Sequence, residues 1–412
     1  AVDARTGKYR WHFQQVHHDI WDYDGPSPVV LFDVDGKKGL AQASKTGWLY
    51  LLDRETGEPL LPIPEQPVPQ LAAQKTAKTQ PIPSYPPFIP HEVTSEHIQA
   101  VNQLKKANKA LKNVPVKRAK ETYTPFDDKA ITVVVPGPQG GTNWQPTSYS
   151  PDTEMFYVCA QAAFSGLVLS NKAVPPGKQG AVADIGGSFV TTGFGDHPGY
   201  FTAIDAHTGE IKWQKRWPES CYSGSTATGG GLVFVGRNGG QLEAYDAENG
   251  ERKWSFQTGA GANSTVTVFE HGGTEKIAFL AGGNALAATP HGDNLWLFAL
   301  NGTMEQLKGV GEKAEGVGHA GETPAEPTGG DSDAKRGQAI WADNCSGCHG
   351  LAGTGGNGGP DLTSISTASN PEHVLAQVKN GGGGMPAFKG TLSQKEIEDV
   401  TAYVVKDITG GG

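Results

Sequence analysis

The sequence predicts a mainly β fold of stacked antiparallel sheets, followed by a small all-α domain. Three observations carry this expectation: one turn-bearing segment recurs along the chain, glycine and proline punctuate it throughout, and a C-x-x-C-H motif near the C-terminus lies between two helical patterns. At 412 residues the chain exceeds the usual size of one hydrophobic core, unless a repeat architecture extends it unit by unit. Its 57 glycines, 28 prolines and charged fraction of 19% suit many short strands joined by turns better than long helices. A formal net charge of -9 disfavours nucleic acid and anionic lipid as partners and leaves docking to a basic redox protein open. No apolar run is long enough to span a membrane. The chain opens without an initiator methionine or a signal-peptide pattern, so a processed or partial product is expected.

The recurring segment reads AVDARTGKYRW at 1–11, AIDAHTGEIKW at 203–213 and AYDAENGERKW at 244–254, with LLDRETGEPL at 51–60 as a copy that lacks the tryptophan. Each is an apolar strand end, an Asp/Asn–Gly turn and a return strand. The last two copies lie 41 residues apart, enough for a four-stranded unit, and MFYVCAQ (155–161), GLVFVGR (231–237), KIAFLAG and LWLFAL supply further strands. Such a sheet cannot bury both faces alone, so the copies should stack radially as propeller blades. A β-sandwich is the alternative, but it does not require turn and tryptophan to recur together. Residues 1–301 hold roughly four blades, about half of an eight-bladed ring.

Residues 62–140 interrupt the pattern, first with a proline-rich stretch expected to be extended. TSEHIQAVNQLKKANKALKN (94–113) follows, capped by Thr94 or Ser95, with Ile98, Val101, Leu104 and Leu111 near one face. It predicts a short amphipathic helix, packed on the propeller rim or serving as a partner-binding arm. Residues 302–334 are polar and glycine-rich and read as a linker, leaving 335–412 as the second domain.

In CSGCH, Cys345, Cys348 and His349 carry the attachment signature of a c-type haem: two thioethers to the vinyl groups and a proximal imidazole. A redox dithiol or half a zinc site is the competing reading. Met385, 36 residues after His349 and flanked by glycines and proline, is a poor core filler and a good sixth ligand, since a neutral thioether favours reduced iron. Pro360 lies where a carbonyl can accept the imidazole N–H. Ala339 and Ile340 should face inward from the helix before the motif, and Tyr403 and Val404 from the capped helix at 393–408 should meet them. Residues 335–412 therefore read as a class I cytochrome c that carries electrons. Haem c attachment in bacteria takes place outside the cytoplasm, so a periplasmic or extracellular location is expected, with a peripheral place on the outer face of the inner membrane left open.

The stretches AVDARTGKYRWHFQQVHHDIWDYD (1–24), KTGWLYLLDRETGEPL (45–60), GGTNWQPTSYSPDTEMFYV (140–158) and 221–266, together with the haem motif, resemble the pyrroloquinoline quinone (PQQ) dependent dehydrogenases. In particular the chain is similar to the quinohemoprotein alcohol dehydrogenases with a C-terminal cytochrome c domain. PQQ is a planar quinone with three carboxylates, and alcohol oxidation through it needs a base near the hydroxyl. The resemblance implies that Asp22 is that base and sits beside a calcium ion, that Lys45 faces the quinone oxygens, and that Asn143 and Trp144 contact the quinone edge. It implies a structural role for Asp19. Read without the family, an Asp in a turn is structural, Lys45 is a surface residue, and Trp144 packs a blade.

The resemblance further implies an alcohol or other hydroxylated substrate and an external acceptor such as a cytochrome, a copper protein or a quinone-linked complex. Sugars, polyols and larger hydroxy compounds stay open as substrates. So does a non-catalytic electron-transfer subunit that has lost PQQ. Cys159 and Cys221 are unlike the family's adjacent cysteine pair, and whether they bond to each other is open. The family's remaining calcium ligands, its tryptophan beneath PQQ and that cysteine pair all belong upstream of the motif that starts this chain. Residues 1–301 are accordingly expected to be the C-terminal half of a catalytic propeller, with the other half a separate chain or an unrepresented segment.

Overall fold

Each recurring segment folds because an aspartate closes its own turn. Asp3, Asp53, Asp205 and Asp246 accept hydrogen bonds from the backbone N–H groups two and three residues on, at 2.8 to 3.2 Å. Gly7, Gly57, Gly209 and Gly250 end these turns at φ of 67°, 81°, 74° and 71°, a region costly for other residues. The tryptophan of one copy then covers the turn of the next. A Cβ on Gly57 would lie 2.5 Å from Trp11, and one on Gly250 2.6 Å from Trp213. The indoles donate to Arg54 O (3.3 Å) and Ala247 O (3.1 Å). The copy at 51–60 has no tryptophan to give, and Tyr85 from the insertion covers Gly209 instead, 2.5 Å from where a Cβ would stand.

The computed structural model describes the chain except residues 73, 109, 170–186, 191–195, 285, 309–333, 350–352, 354–358, 383–384, 390–391 and 411–412. The chain divides into two compact units, with the main boundary between residues 321 and 322. In the first, β1 (Val30–Val34), β2 (Lys37–Ala43) and β3 (Leu49–Asp53) form one sheet. The insertion adds β4 (Glu65–Pro67), β5 (Thr79–Pro81), α1 (Ser95–Leu104), β6 (Val116–Arg118) and β7 (Ile131–Val134). After β8 (Ser148–Ser150) and β9 (Met155–Gln161) the chain leaves its sheet for β10 (Ser165–Leu169) and β11 (Gly187–Val190), then returns as β12 (Gly199–Asp205) and β13 (Ile211–Trp217). A third sheet holds β14 (Ser225–Ala227), β15 (Leu232–Gly236), β16 (Gln241–Asp246) and β17 (Arg252–Gln257), and a fourth holds β18 (Thr267–His271), β19 (Thr274–Ala281) and β20 (Asn294–Phe298).

These four sheets pack face to face in chain order. Phe32 and Leu51 meet Phe156 and Tyr200; Tyr157 and Phe201 meet Val233 and Tyr245; Phe234 and Leu242 meet Phe279 and Trp296. Burying one such aromatic contributes roughly 1.5–3 kcal/mol, so the seams hold the series together. The result is a propeller-like stack. Its last sheet exposes Leu280, Leu295 and Leu297, the first two directly paired across β19 and β20.

A fifth sheet, ordered β11-β10-β7-β6, stands outside this series. It joins the insertion to the excursion between β9 and β12, a pairing that no local pattern in either segment announces. Val133 and Leu167 share its core with Trp21, Tyr23 and Tyr123. Helix α1 begins as expected, with Thr94 and His97 making a capping box, but ends at Leu104 and not near 113. Asn108 is extended, and its side chain accepts from Ala110 N–H at 3.0 Å, a local turn that competes with helix. Val101 is fully buried and Leu104 is exposed, while Leu111 is buried from beyond the helix. The expected linker also starts later than 302, because Leu307 N–H bonds Gln257 O at 3.0 Å; 309–333 lie outside the described residues.

The second unit contains α2 (Ala334–Asn344), α3 (Ser346–His349), α4 (Pro371–Asn380) and α5 (Gln394–Tyr403). Asn370 and Ser393 cap α4 and α5. Helices α2 and α5 cross at Gly337, where a Cβ would lie 2.0 Å from Asp399 O. The inward face of α2 is Gly337, Trp341 and Cys345, with Ile340 at its margin, and not Ala339, which is exposed. The cause is helical phase: the cysteine must point inward, and the residues four and eight before it follow. Tyr403 does meet this helix, 6.1 Å from Trp341, and Val404 is buried. Among the described residues no helix is long and apolar enough to cross a membrane.

One cross-sheet clip carries a pH signature. His207 bonds Glu154 at 2.7 Å and Asp35 at 2.8 Å, joining turns of the second and first sheets, and these carboxylates, Glu154 foremost, raise its pKa from the ordinary 6.5. The stabilisation is present in full below the ordinary value and is lost as pH rises through the higher folded one. Thermal unfolding of the wild type should therefore fall over that window, and His207→Gln should flatten the fall; an unchanged slope in the variant would contradict the assignment.

Candidate functional site

The loop before β1 is shaped by Asp19. Its two carboxylate oxygens accept from Trp21 N–H (2.8 Å) and Tyr23 N–H (2.6 Å), which bear out the structural role expected of it. Desolvation of the inward-turned oxygens raises its pKa against the pull of those two bonds, and the charges of Asp22 and Asp24 add to the rise. Between the bonded amides Asp22 takes φ of 66°, a left-handed conformation uncommon for a residue with a side chain. Trp21 and Tyr23 are buried, and Asp22, its side chain 57% exposed, is turned out between them.

Lys45 lies in the turn between β2 and β3 and is 5% exposed, so it is no surface lysine. Its Nζ is 2.9 Å from Asp22 Oδ2 and 2.5 Å from Asp24 Oδ1. A charge taken out of water needs such partners. Lys45 O accepts from Gly141 N–H at 2.8 Å, and a Cβ on Gly140 would lie 2.5 Å from Lys45 Cα. Only glycine allows that approach. The same loop then presents Asn143, whose Nδ2 donates to Gln139 O at 3.1 Å, and Trp144, edge-on to Tyr222 at 5.6 Å. Burial raises the pKa of Tyr222, offset in part by hydrogen bonds with Trp144 and Gln139 and by the charge of Lys45.

Asp22, Lys45, Asn143 and Trp144, distant in sequence, thus belong to one neighbourhood. Asp24 and Tyr222 join them and were not singled out in the sequence. For Asp24 the signal was present, an acid two residues from Asp22 in WDYD; for Tyr222 it was only a place beside Cys221. Among the described residues no group of three or more His, Cys, Asp or Glu is arranged to hold a metal ion. Asp22 and Asp24 offer hard oxygen donors of the kind calcium takes, and calcium's six to eight ligands would have to be completed by other groups. Cys159 of β9 and Cys221 form a disulfide across 62 residues. It ties the residue before Tyr222 to the strand whose Cys159 O accepts from Thr142 Oγ1 at 3.2 Å, just before Asn143.

In the second unit Cys345, Cys348, His349 and Met385 line one cavity of about 380 Å³, walled by apolar side chains including Trp341. His349 Nδ1 is 3.0 Å from Pro360 O, so it donates there and leaves Nε2 as the lone-pair nitrogen. Met385 exchanges backbone hydrogen bonds with Gly382 at 2.9 and 3.1 Å. Two thiols, an oriented imidazole and a thioether around an apolar cavity fit a covalently held haem.

Residues 1–175 match the family of the glucose/ethanol/alcohol dehydrogenase β-propeller domain, 130–309 that of outer membrane protein assembly factor BamB, and 332–404 that of cytochrome c oxidase, cbb3-type, subunit III. The quinohemoprotein alcohol dehydrogenase ADH IIB of Pseudomonas putida is 27% identical over 98% of this chain and 55% of its own length. A quinoprotein ethanol dehydrogenase of Pseudomonas putida is 31% identical over 68% of this chain and 41% of its own length. The chain thus spans about half the length of these curated relatives. Among solved structures, the quinohemoprotein alcohol dehydrogenases ADHIIG of Pseudomonas putida HK5 and that of Comamonas testosteroni share the fold, with TM-scores of 0.56 and 0.53 at 22% and 23% identity, covering 99% of this chain and 57% of each of theirs.

The disulfide gives a direct prediction. Cys159→Ser/Cys221→Ser should lower the stability of the first unit by about 2–4 kcal/mol, measured by denaturant unfolding, since the cross-link restricts the unfolded chain. No loss would mean that the bond contributes nothing to stability.

Proposed function

We infer, because the chain belongs to the PQQ-dependent quinoprotein and quinohemoprotein alcohol dehydrogenases, that it takes part in oxidising an alcohol to an aldehyde or ketone and passes the electrons through haem c to an external acceptor. Residues 1–301 would be part of an eight-bladed catalytic propeller and 335–412 a class I cytochrome c. The observation that carries this reading is the exposed Asp22, held at positive φ beside the buried ammonium of Lys45, in a chain that also has a cavity fitted to haem. PQQ, when bound, would accept the hydride of the alcohol carbon and so the two electrons of the oxidation.

The residues of this chain divide the remaining work. Asp22 takes the hydroxyl proton of the alcohol at a carboxylate oxygen, which makes the carbon a better hydride donor. Lys45 sets a fixed positive charge beside the acids and would face the quinone oxygens. Trp144 and Tyr222 form an aromatic wall that keeps water out, and Asn143 offers an amide to the edge of the cofactor. Asp22 and Asp24 would contribute oxygens to calcium. In the second unit Cys345 and Cys348 would hold the haem, with His349 Nε2 and the Met385 sulfur as axial ligands.

The exposed Leu280, Leu295 and Leu297 support a partner here, since sheets of this kind bury such a face against another sheet. We take that partner to be further propeller sheets, in the same polypeptide or another. The c-type haem supports a periplasmic or extracellular location.

Cofactor extraction from the native protein should yield about one PQQ per haem, and haem without PQQ would leave electron transfer alone as the function. Asp22→Asn should lower alcohol-dependent kcat by about 100- to 10,000-fold, the usual contribution of a general base. Activity at the wild-type level would remove Asp22 from its role. Met385→Ala should keep the haem attached while its spectrum shows a changed sixth ligand and its reduction potential falls. An unchanged spectrum would exclude Met385 as a ligand.

A further inference from the structure

We propose that Tyr123, contributed by the insertion, is a positioning residue for the Asp22 loop, a reading that rests on Asp22 as the base. Asp22 occupies a costly backbone conformation, and such conformations persist only where their surroundings impose them. Asp19 supplies the local part. The rest comes from the insertion, which grips the loop on both sides.

On the near side, Gln80 of β5 is fully buried and uses both ends of its amide on the main chain of His17: Oε1 accepts from His17 N–H at 2.7 Å and Nε2 donates to His17 O at 2.8 Å. On the far side, the buried ring of Tyr123 stands edge-on to both neighbours of the base, 5.5 Å from Trp21 at 76° and 6.1 Å from Tyr23 at 77°. Main-chain carbonyls of the insertion complete the grip. Trp21 Nε1 donates to Thr124 O at 2.9 Å, and the Tyr23 hydroxyl lies 2.5 Å from Pro136 O and 3.4 Å from Thr122 O, the residue before Tyr123.

The rings flanking Asp22 are thereby fixed in the core shared with the accessory sheet. With both flanking side chains immobilised, the one between them can point only outward, toward Lys45. The insertion therefore sets the direction of the carboxylate without touching it. A purely structural insertion would affect stability; a positioning one affects turnover at constant fold, because a displaced base loses rate steeply.

The test compares Tyr123→Ala with Tyr123→Phe in the full holoprotein. Tyr123→Ala should lower kcat by about tenfold or more with KM within about threefold, the signature of an interaction needed in the transition state. The amides of Trp21 and Tyr23 should exchange faster with deuterium, and Tyr123→Phe should keep both properties. If Tyr123→Ala does not fold, Tyr123→Leu, which retains bulk without an aromatic edge, serves for the same two readouts. Unchanged exchange of the two amides, or wild-type kcat with faster exchange, overturns the proposal. Asp22→Asn, assayed alongside, separates the two readings: if it oxidises alcohol normally, the assignment of the base fails, while amide exchange still decides whether Tyr123 holds the loop.

Discussion

A lysine ammonium almost wholly removed from water must be neutralised, and the site is organised by how Lys45 meets that requirement. Its anions, Asp22 and Asp24, come from the loop before the first strand, and its main-chain carbonyl takes the N–H of Gly141 from beyond the insertion. Removing either half-exposed acid would leave the buried ammonium with less compensation, which favours keeping these segments together. Everything proposed for the chemistry depends on that convergence: the base, the cation and the aromatic wall are neighbours because Lys45 is buried.

The convergence needs a rigid support, and the stapled sheets provide it. Trp11 and Trp213 each close over the turn glycine of the next copy, so these blade contacts are specified by a few residues and repeated. Where the tryptophan is missing, Tyr85 takes its place, which makes the insertion part of the stack's own fastening. The same insertion holds the rings on either side of Asp22. The insertion thus has two structural duties, and its strands β4 and β5 are only three residues each.

Legibility in the sequence followed the range of the interactions. The Asp–Gly turns, the strand at 155–161 and the haem motif are local patterns and could be read directly. Asp22 and Lys45 became legible through long matching stretches, since an isolated acid or lysine carries no such signal. The sheet that joins β7 to β10 could not be read, because it pairs segments that are separate insertions in a repeat. Tyr222 and the Cys159–Cys221 bond were hidden for the same reason: each depends on which strand ends meet. Apolar spacing alone carries α1 past its true end, which Asn108 and its competing local turn set.

The central claim is that alcohol oxidation in the first unit is coupled to the haem of the second. It is tested most directly by mixing the oxidised native holoprotein, without air and without added mediator, with excess primary alcohol while the haem absorbance is followed. The account predicts that the haem becomes reduced in step with aldehyde formation. A haem that stays oxidised under alcohol, in protein shown to contain PQQ and reducible by ascorbate, would contradict it.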